Sequence, residues 1–398
     1  MHRVEVGIAG TVLAWGIAAA WVYRFVEAAW GLRRVPNLLE AEYDDEPVGL
    51  PGVVVIVPAR DEAAKVGECL ESLLAQDYGN LRIVAVDDRS SDGTGEIMVA
   101  AAGQSGGRLE VLRVDELPAG WLGKTHAMAL AARGAIAGGG VEYLLFTDAD
   151  ILFRPDAVRR TLVMAEAQRA DHCVVLPTTI AKTRGEGMLL AYLQVMSLWA
   201  VRPWRVADPK AMRDAVGVGA FNMMRVDAYG RLGGFEGLRM EVVEDLELGR
   251  AVKRAGLRQR VATAPGMVSV HWAAGAGGIV AGMTKNLFAV FRFRVALVVA
   301  AAVWIAVFCL GPVAMLGIDE VRWSGVVAVG AVVGLYVFSA RTSGISWRYA
   351  AGFPVAAFVV VYSMFRSMVV ALVQGGVTWR GTFYRLMELR EYAKGRRE

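Results

Sequence analysis

The sequence predicts an α/β domain built on a mostly parallel sheet with flanking helices, joined to helices long enough to cross a membrane. Three observations predict it. From Gly52 onward, short β-branched runs alternate with segments of helical periodicity. Acidic residues stand where those runs end, as in Leu144-Leu145-Phe146-Thr147-Asp148-Ala149-Asp150. Finally, 55% of the 398 residues are hydrophobic, more than a purely soluble domain usually carries.

The same composition excludes other classes. Cys69, Cys173 and Cys309 are few, odd in number and set in apolar contexts, so neither a disulfide framework nor a zinc site is indicated. A net charge of +4, without a basic run interleaved with aromatics, argues against a nucleic-acid partner. No Gly-x-Gly-x-x-Gly follows the first strand, which disfavours a dinucleotide oxidoreductase.

Taken in order, Val6 to Tyr23 is an 18-residue run without charge, enough to span a hydrocarbon core of about 30 Å. Arg24, Arg33 and Arg34 follow the run, so residues 1–35 read as an uncleaved anchor with its C-terminal side in the cytoplasm. Residues 36–51, rich in acid from Glu40 to Glu46, read as a solvated linker. Val53 to Val57 is a buried strand, and Val66, Leu70, Leu73 and Leu74 fall on one helix face. Leu81 to Val86, Leu109 to Arg113, Tyr143 to Thr147 and Cys173 to Leu176 repeat the strand pattern within a domain set at 52–277. In such sheets ligands bind beyond the carboxyl ends of the strands.

Residues 278–294 read as an amphipathic interfacial helix, with Ile279, Met283, Leu287 and Phe291 on one face and Lys285 and Arg292 on another. Residues 295–378 hold two or three further spans: Val295 to Ile318, Trp323 to Ala340, and Tyr349 to Val373, the last interrupted by Arg366. Here two rules collide. Three C-terminal spans put the tail outside, yet residues 379–398 carry six Arg/Lys against three Glu, which favours the cytoplasmic side. Either one segment is re-entrant or interfacial, or the positive-inside rule fails at this tail.

The acidic clusters suggest chemistry. Asp148 and Asp150, two apart at a strand end, point to the same side, and hard oxygen donors favour Mg²⁺ or Mn²⁺. A lone Asp-x-Asp is also a common turn. Asp88 and Asp92 are equally suited to turn and helix-cap work. Lys124 opens a helix in a Gly-Lys-Thr turn that suits phosphate contact but lacks the glycine spacing of a Walker loop. Glu244 and Asp245 begin a helix, where acids are favoured by the dipole and where a general base is also well placed.

In order along the chain, Pro58-Ala59-Arg60-Asp61-Glu62, Asp87-Asp88, Asp148-Ala149-Asp150 and Glu244-Asp245 resemble the family 2 glycosyltransferases of GT-A fold, over roughly residues 53–294. Gly120-Trp121-Leu122-Gly123-Lys124-Thr125-His126-Ala127, Gly233-Gly234-Phe235-Glu236 and Trp379-Arg380-Gly381-Thr382-Phe383-Tyr384 are similar to the membrane-anchored branch with lipid acceptors, nearest the hopene-associated type. The resemblance implies a nucleoside pocket of Pro58, Ala59, Arg60, Glu62, Asp87 and Asp88, with Lys124 and Lys285 on the diphosphate. It implies Asp150 as metal ligand, Asp148 on ribose or metal, His271 as a late ligand, and Asp245, beside Glu244, as base of an inverting displacement.

The expected partners are a nucleotide-sugar donor, in the first place a UDP-sugar, a membrane lipid acceptor of hopanoid, other polyisoprenoid or sphingolipid-like kind, and the bilayer itself. The expected place is a bacterial-type inner membrane, multi-pass, with the catalytic domain facing the cytoplasm. Many relatives carry Gln-x-x-Arg-Trp before the C-terminal spans, where this chain reads Gly282-Met283-Thr284-Lys285-Asn286. That departure favours one sugar added to a lipid over a processive polysaccharide synthase. A catalytically inactive membrane protein that binds nucleotide-sugar or lipid is the rival of another class.

Overall fold

The computed structural model describes residues 7–395. They form two compact units: an α/β unit of residues 35–180 and 203–272, and a helical unit of the chain up to Arg34, 181–202 and 273 onward. The expected domain at 52–277 was contiguous. The structure instead assigns residues 181–202 to the helical unit and residues 35–51 to the α/β unit.

Helix α1 (Ile8–Gly31) opens the helical unit. The α/β unit follows with β1 (Val53–Ala59), α2 (Val66–Leu74), β2 (Leu81–Asp88), α3 (Thr94–Gln104), β3 (Leu109–Val114) and α4 (Gly123–Ala137). It continues with β4 (Tyr143–Phe146), β5 (Ile151–Phe153), α5 (Ala157–Ala167), β6 (His172–Leu176) and β7 (Thr178–Thr179). After α6 (Arg184–Ala200), which belongs to the helical unit, come β8 (Asn222–Arg225), α7 (Val226–Arg231), α8 (Glu244–Arg254), β9 (Gln259–Thr263) and β10 (Val268–Val270).

The main sheet has the order β3-β2-β1-β4-β8-β6-β9, and a small one has β5-β10-β7. Strands β1 to β4 are parallel, β8 is antiparallel to both β4 and β6, and β6 is parallel to β9. All seven residues of β1 are buried, which is why its sequence is apolar without alternation. Val53, Val55 and Val57 pack with Leu70 and Leu73 of α2, whereas Val54 and Ile56 face Ala127 and Ala131 of α4. Each such side chain contributes roughly 1.5–3 kcal/mol on burial. Strand β8 has no strand signature in sequence, since Asn222-Met223-Met224-Arg225 has neither β-branching nor alternation; the flanking strands impose it.

Residues 36–51 are not a solvated linker. Asn37 bridges to Thr263 at the end of β9, the Thr263 amide donates to the Pro36 carbonyl (2.8 Å), and Leu38 is fully buried. The acids at 44–46 are not there for solubility alone: Asp44 pairs with Arg159 and Arg160 of α5.

The helical unit continues with α9 (Gly275–Val290), α10 (Val295–Ile305), a π-helical turn (Ala306–Leu310), α11 (Gly311–Met315), α12 (Arg322–Ser343) and α13 (Phe353–Val373). A hairpin of β11 (Gly376–Trp379) and β12 (Thr382–Arg385) leads to α14 (Leu386–Gly395). Four described segments are long and apolar enough to cross a membrane: Ile8–Arg34, Val295–Met315, Asp319–Arg341 and Trp347–Val373. Residues 1–6 of the expected anchor, with Val6 of its apolar run among them, and residues 396–398 of the basic tail lie outside the described residues. Arg366 does not interrupt α13.

Helix α9 differs from the interfacial helix expected at 278–294. It ends at Val290 because Arg292 and Phe293 take positive φ (53° and 55°) and reverse the chain. Its apolar stripe is covered rather than outward: Ile279, Met283 and Phe288 are buried, and the Phe288 amide donates to Ser367 Oγ of α13 (2.9 Å).

Candidate active site

Three neighbouring parallel strands deliver the acidic clusters to one edge. Ala59 of β1 lies beside Asp87 of β2 in register, and β4 pairs with the other side of β1. Beyond β1, Asp61 adopts φ +54° and accepts from the Ser91 amide (2.8 Å), while the Glu62 amide donates to Thr94 Oγ1 (2.8 Å). Asp92 accepts from the Thr94 and Ala63 amides (both 3.1 Å), so it acts in the turn that ties these loops together. Asp87 caps the Ser90 amide (3.0 Å) and Asp88 takes both ends of the Arg89 guanidinium (2.9 and 3.1 Å). Gly123, where α4 begins, leaves no room for a Cβ above Asp88 Oδ2 (2.2 Å).

Lys124, next along α4, turns its ammonium inward. Nζ lies 2.5 Å from Asp148 Oδ1 and 2.5 Å from Glu244 Oε1. The start of α4 is fixed for this, because the Leu122 amide and Thr125 Oγ1 both donate to the Arg239 carbonyl (2.7 Å each), just before α8. Asp245, at the first turn of α8, accepts from the Leu246 amide (2.7 Å) and from the Gly219 amide (2.9 Å). Gly219 belongs to a strap, residues 216–219, that passes between Asp245 and Asp148. A Cβ on Gly217 would fall 1.7 Å from the Asp245 carbonyl, and one on Gly219 would fall 2.4 Å from Asp148 Oδ2. Lys124, Asp148, Gly219, Asn222, Glu244 and Asp245 thus line one pocket.

Burial, foremost, pushes the Glu244 carboxyl up to about 7; Lys124 opposes this and the charges of Asp245 and Asp148 add to it. Asp245 is raised for the same first reason, against Lys124 and its two amide donors. For Lys124, burial favours the neutral amine, but Asp148, Glu244 and Asp245 together outweigh it and the ammonium is held.

Residues 54–233 match the profile described as Glycosyl transferase family 2. This stretch is a family 2 glycosyltransferase domain. The chain is similar to a 4,4'-diaponeurosporenoate glycosyltransferase of Staphylococcus haemolyticus, at 24% identity over 59% of this chain and 60% of that protein. It is also similar to an N-acetylglucosaminyltransferase of Bradyrhizobium elkanii, at 29% identity over 42% of this chain and 88% of that one. A Staphylococcus aureus protein named like the first is 26% identical over half of each chain, so the matched region spans about half the length of these staphylococcal relatives. Among solved structures, a mannosyltransferase from Pyrobaculum calidifontis in complex with GDP-Man and Mn²⁺ aligns over 92% of this chain and 99% of its own, with a TM-score of 0.52 and 18% identity. That likeness is one of fold, and the fold is GT-A-like.

Within the glycosyltransferase domain, the structure brings together Lys124, Asp148, Glu244 and Asp245, all singled out from sequence. Asp150 stands apart from this cluster, bound to Lys65 Nζ (3.0 Å), which also donates to the His271 carbonyl (3.2 Å). The antiparallel pairing of Ile151 with Val270 sets Asp150 and His271 opposite each other. Pro58, Ala59, Arg60, Glu62, Asp87 and Asp88 gather at the β1 and β2 ends. Lys285 lies in the helical unit, its ammonium 5.2 Å from the Trp379 ring centroid.

Sequence inspection missed Lys65 and the strap. Nothing local marks Lys65, whose meeting with Asp150 depends on β1 lying beside β4. Gly217 and Gly219 did carry a signal, two glycines flanking one residue just before a buried segment, but their role needs the fold.

Among the described residues no three His, Cys, Asp or Glu side chains group to hold a metal alone. Asp148 and Asp150 each face an ammonium. This donor set does not suit an all-protein cage. It does fit a hard cation held by one or two carboxylates and otherwise by phosphate oxygens and water.

Proposed function

We propose that this glycosyltransferase domain moves a single sugar, with inversion, from a nucleotide-diphosphate donor to the hydroxyl of a membrane lipid. The observation that carries the reading is the convergence of Lys124, Asp148, Glu244 and Asp245 at the carboxyl edge of the sheet, with Asp245 oriented by two amides and its carboxyl raised by burial. Deprotonated Asp245 keeps a second lone pair on each oxygen. One of these takes the proton of the acceptor hydroxyl as that oxygen bonds to the anomeric carbon and the bond to the diphosphate breaks.

Arg60, Glu62, Asp87 and Asp88, with Pro58 and Ala59, hold the nucleoside over the β1 and β2 ends. Asp150 and Asp148, with His271 beside Asp150, would hold a Mn²⁺ or Mg²⁺ ion on the donor. Such an ion supplies Lewis-acid neutralisation of the leaving diphosphate. Lys65 and Lys124 neutralise the same two aspartates, and so keep the edge from repelling an anionic donor.

A UDP-sugar is the first donor to test and a GDP-sugar the second. A lipid acceptor of hopanoid or other polyisoprenoid type accords with the apolar helices and with the staphylococcal relatives' names. The domain then works at the cytoplasmic face of a bacterial inner membrane. The test uses the purified full chain, UDP- and GDP-sugars, Mn²⁺ and lipid extracts. Asp245→Asn is expected to keep donor binding and lose turnover by roughly 10²–10⁴-fold; Asp150→Ala is expected to weaken metal-dependent donor binding. Unimpaired turnover in Asp245→Asn removes the base, and full metal-dependent activity in Asp150→Ala removes the ligand.

A further inference from the structure

Three successive crossings after α9 would leave Phe293, before the first, and Arg390, after the third, on opposite faces of a core about 30 Å thick. Instead Arg390 Nη2 donates to the Phe293 carbonyl at 2.9 Å. The Leu386 amide likewise donates to the Gly375 carbonyl (2.8 Å), folding α14 back on the end of α13. The helices agree. Trp21 Nε1 donates to the Phe308 carbonyl (2.7 Å) and its ring lies 5.9 Å from Phe353, so Phe308 and Phe353 share one height. From there α10 runs back to Phe293 and α13 runs forward to the tail that binds Phe293. The first and third segments are therefore antiparallel, which alternating crossings forbid.

Phe353 lies between the two faces: Phe308, at its height, is 15 residues past Phe293, about 22 Å along a helix that continues through α11. The Phe353 ring is also 6.1 Å from Tyr336, seven residues before α12 ends, or about 10 Å along that helix. Gly325 of α12 packs against Pro312 and Met315, so α10–α11 and α12 form a hairpin with Phe293 and Ser343 at the same end. A helix of 21 residues, about 30 Å, that starts inside the membrane and returns to this face is inclined and does not cross to the other one. A second observation stands apart from these contacts. Arg366, near the middle of α13, is exposed on the same outer side as Tyr362, Phe365 and Val369. On a crossing helix that arginine would face the hydrocarbon centre, whereas on a helix rising to this face it reaches phosphate.

Charge supplies the sidedness. Phe25 against Gly334 and Arg33 over Phe338 make α1 parallel to α12. Arg33, Arg34, Arg292, Arg294, Arg341 and Arg390 thereby collect at one end, with Asp319 and Glu320 at the other. We propose that α13 is a re-entrant helix that rises obliquely to the cytoplasmic face without crossing, its apolar side in the acyl chains and Arg366 reaching anionic phospholipid headgroups, so that the chain crosses three times and its basic tail stays on the arginine-rich face. This inference needs nothing from the catalytic assignment.

The test uses the full chain, whose three native cysteines are buried. Arg34→Cys, Glu320→Cys and Glu388→Cys are probed singly with a membrane-impermeant maleimide in inside-out and right-side-out vesicles. Glu388→Cys is expected to label with Arg34→Cys; labelling with Glu320→Cys overturns the proposal. Spin labels at positions 355, 362 and 369 in phosphatidylethanolamine/phosphatidylglycerol vesicles are expected to become shallower from 355 to 369, with 369 in the cytoplasmic leaflet. A label at 362 on the bilayer centre, with 355 and 369 equally shallow in opposite leaflets, overturns it. Arg366→Leu is expected to let the 362 label sink deeper, and an unchanged depth removes the headgroup contact.

Discussion

Lys124 sits among three carboxylates, and one ammonium cannot neutralise them all in a buried pocket. The excess appears as a proton held more readily by Glu244 and Asp245, for which burial is the first cause. A base must be deprotonated to act, so activity falls as pH drops through the titration of this pair, which behaves as a unit. The acid limb of kcat/KM is expected above the ordinary carboxylate range. Lys124→Met removes the cation that opposes burial at Asp245 and moves that limb to higher pH; a pH–rate profile with an unmoved limb sinks the coupling. Stability runs the other way. A carboxyl whose folded value is raised binds a proton that the unfolded chain releases, so its cost is absent below about 4.5, grows as pH rises toward 7 and persists above. Glu244→Gln should therefore raise Tm more at pH 8 than at pH 5.

At the scale of elements, the strap of residues 216–219 decides how far Asp148 and Asp245 stand apart. Buried Gln259 binds both the amide and the carbonyl of Val216 (3.1 and 2.8 Å), and Asn222 Nδ2 donates to the Val218 carbonyl (2.6 Å). Gly219→Ala places a methyl on Asp148 where no space exists, and overpacking costs about 1–3 kcal/mol. Turnover is expected to fall about 10²-fold from the displaced carboxylates, while Gly230→Ala, with nothing within 4 Å of its Cβ, leaves it unchanged. Equal activity in the two variants would show that the strap does not set the site. The strap also marks where the sequence stops being legible. Strands β1, β2 and β4 were readable because burial on both faces demands continuous apolar runs, and their terminal aspartates came with them. Strand β8 takes its conformation from β4 and β6, and Lys65 meets Asp150 only through strand adjacency, so neither leaves a local pattern. Helix α6 reads as one more apolar helix of the domain, since periodicity reports a buried face but not which unit buries it.

On the scale of the chain as a whole, residues 35–51 close the α/β unit across more than two hundred residues of sequence. Beyond the Thr263 bridge, Arg160 donates to the Leu38 and Glu40 carbonyls (3.0 and 3.2 Å) and pairs with Asp44 and Asp156 (2.6 Å each). Arg160 is itself buried, so its removal strands two carbonyls and two acids rather than trimming a surface pair. The hydrogen bonds from Arg154 and Arg160, Arg154 foremost, hold Asp156 down to about 2. A depressed carboxyl contributes stability above its unfolded value and loses it as pH falls through the folded one, here between about 4 and 2. Arg160→Met should accordingly destabilise the full chain by about 2–4 kcal/mol at pH 7, with the deficit shrinking toward pH 2. Leu38→Ala, which empties a fully buried site, should cost about 2–5 kcal/mol with little dependence on pH. Thermal unfolding across that range separates the two, and a Tm unchanged in both variants would return this segment to the role of a linker.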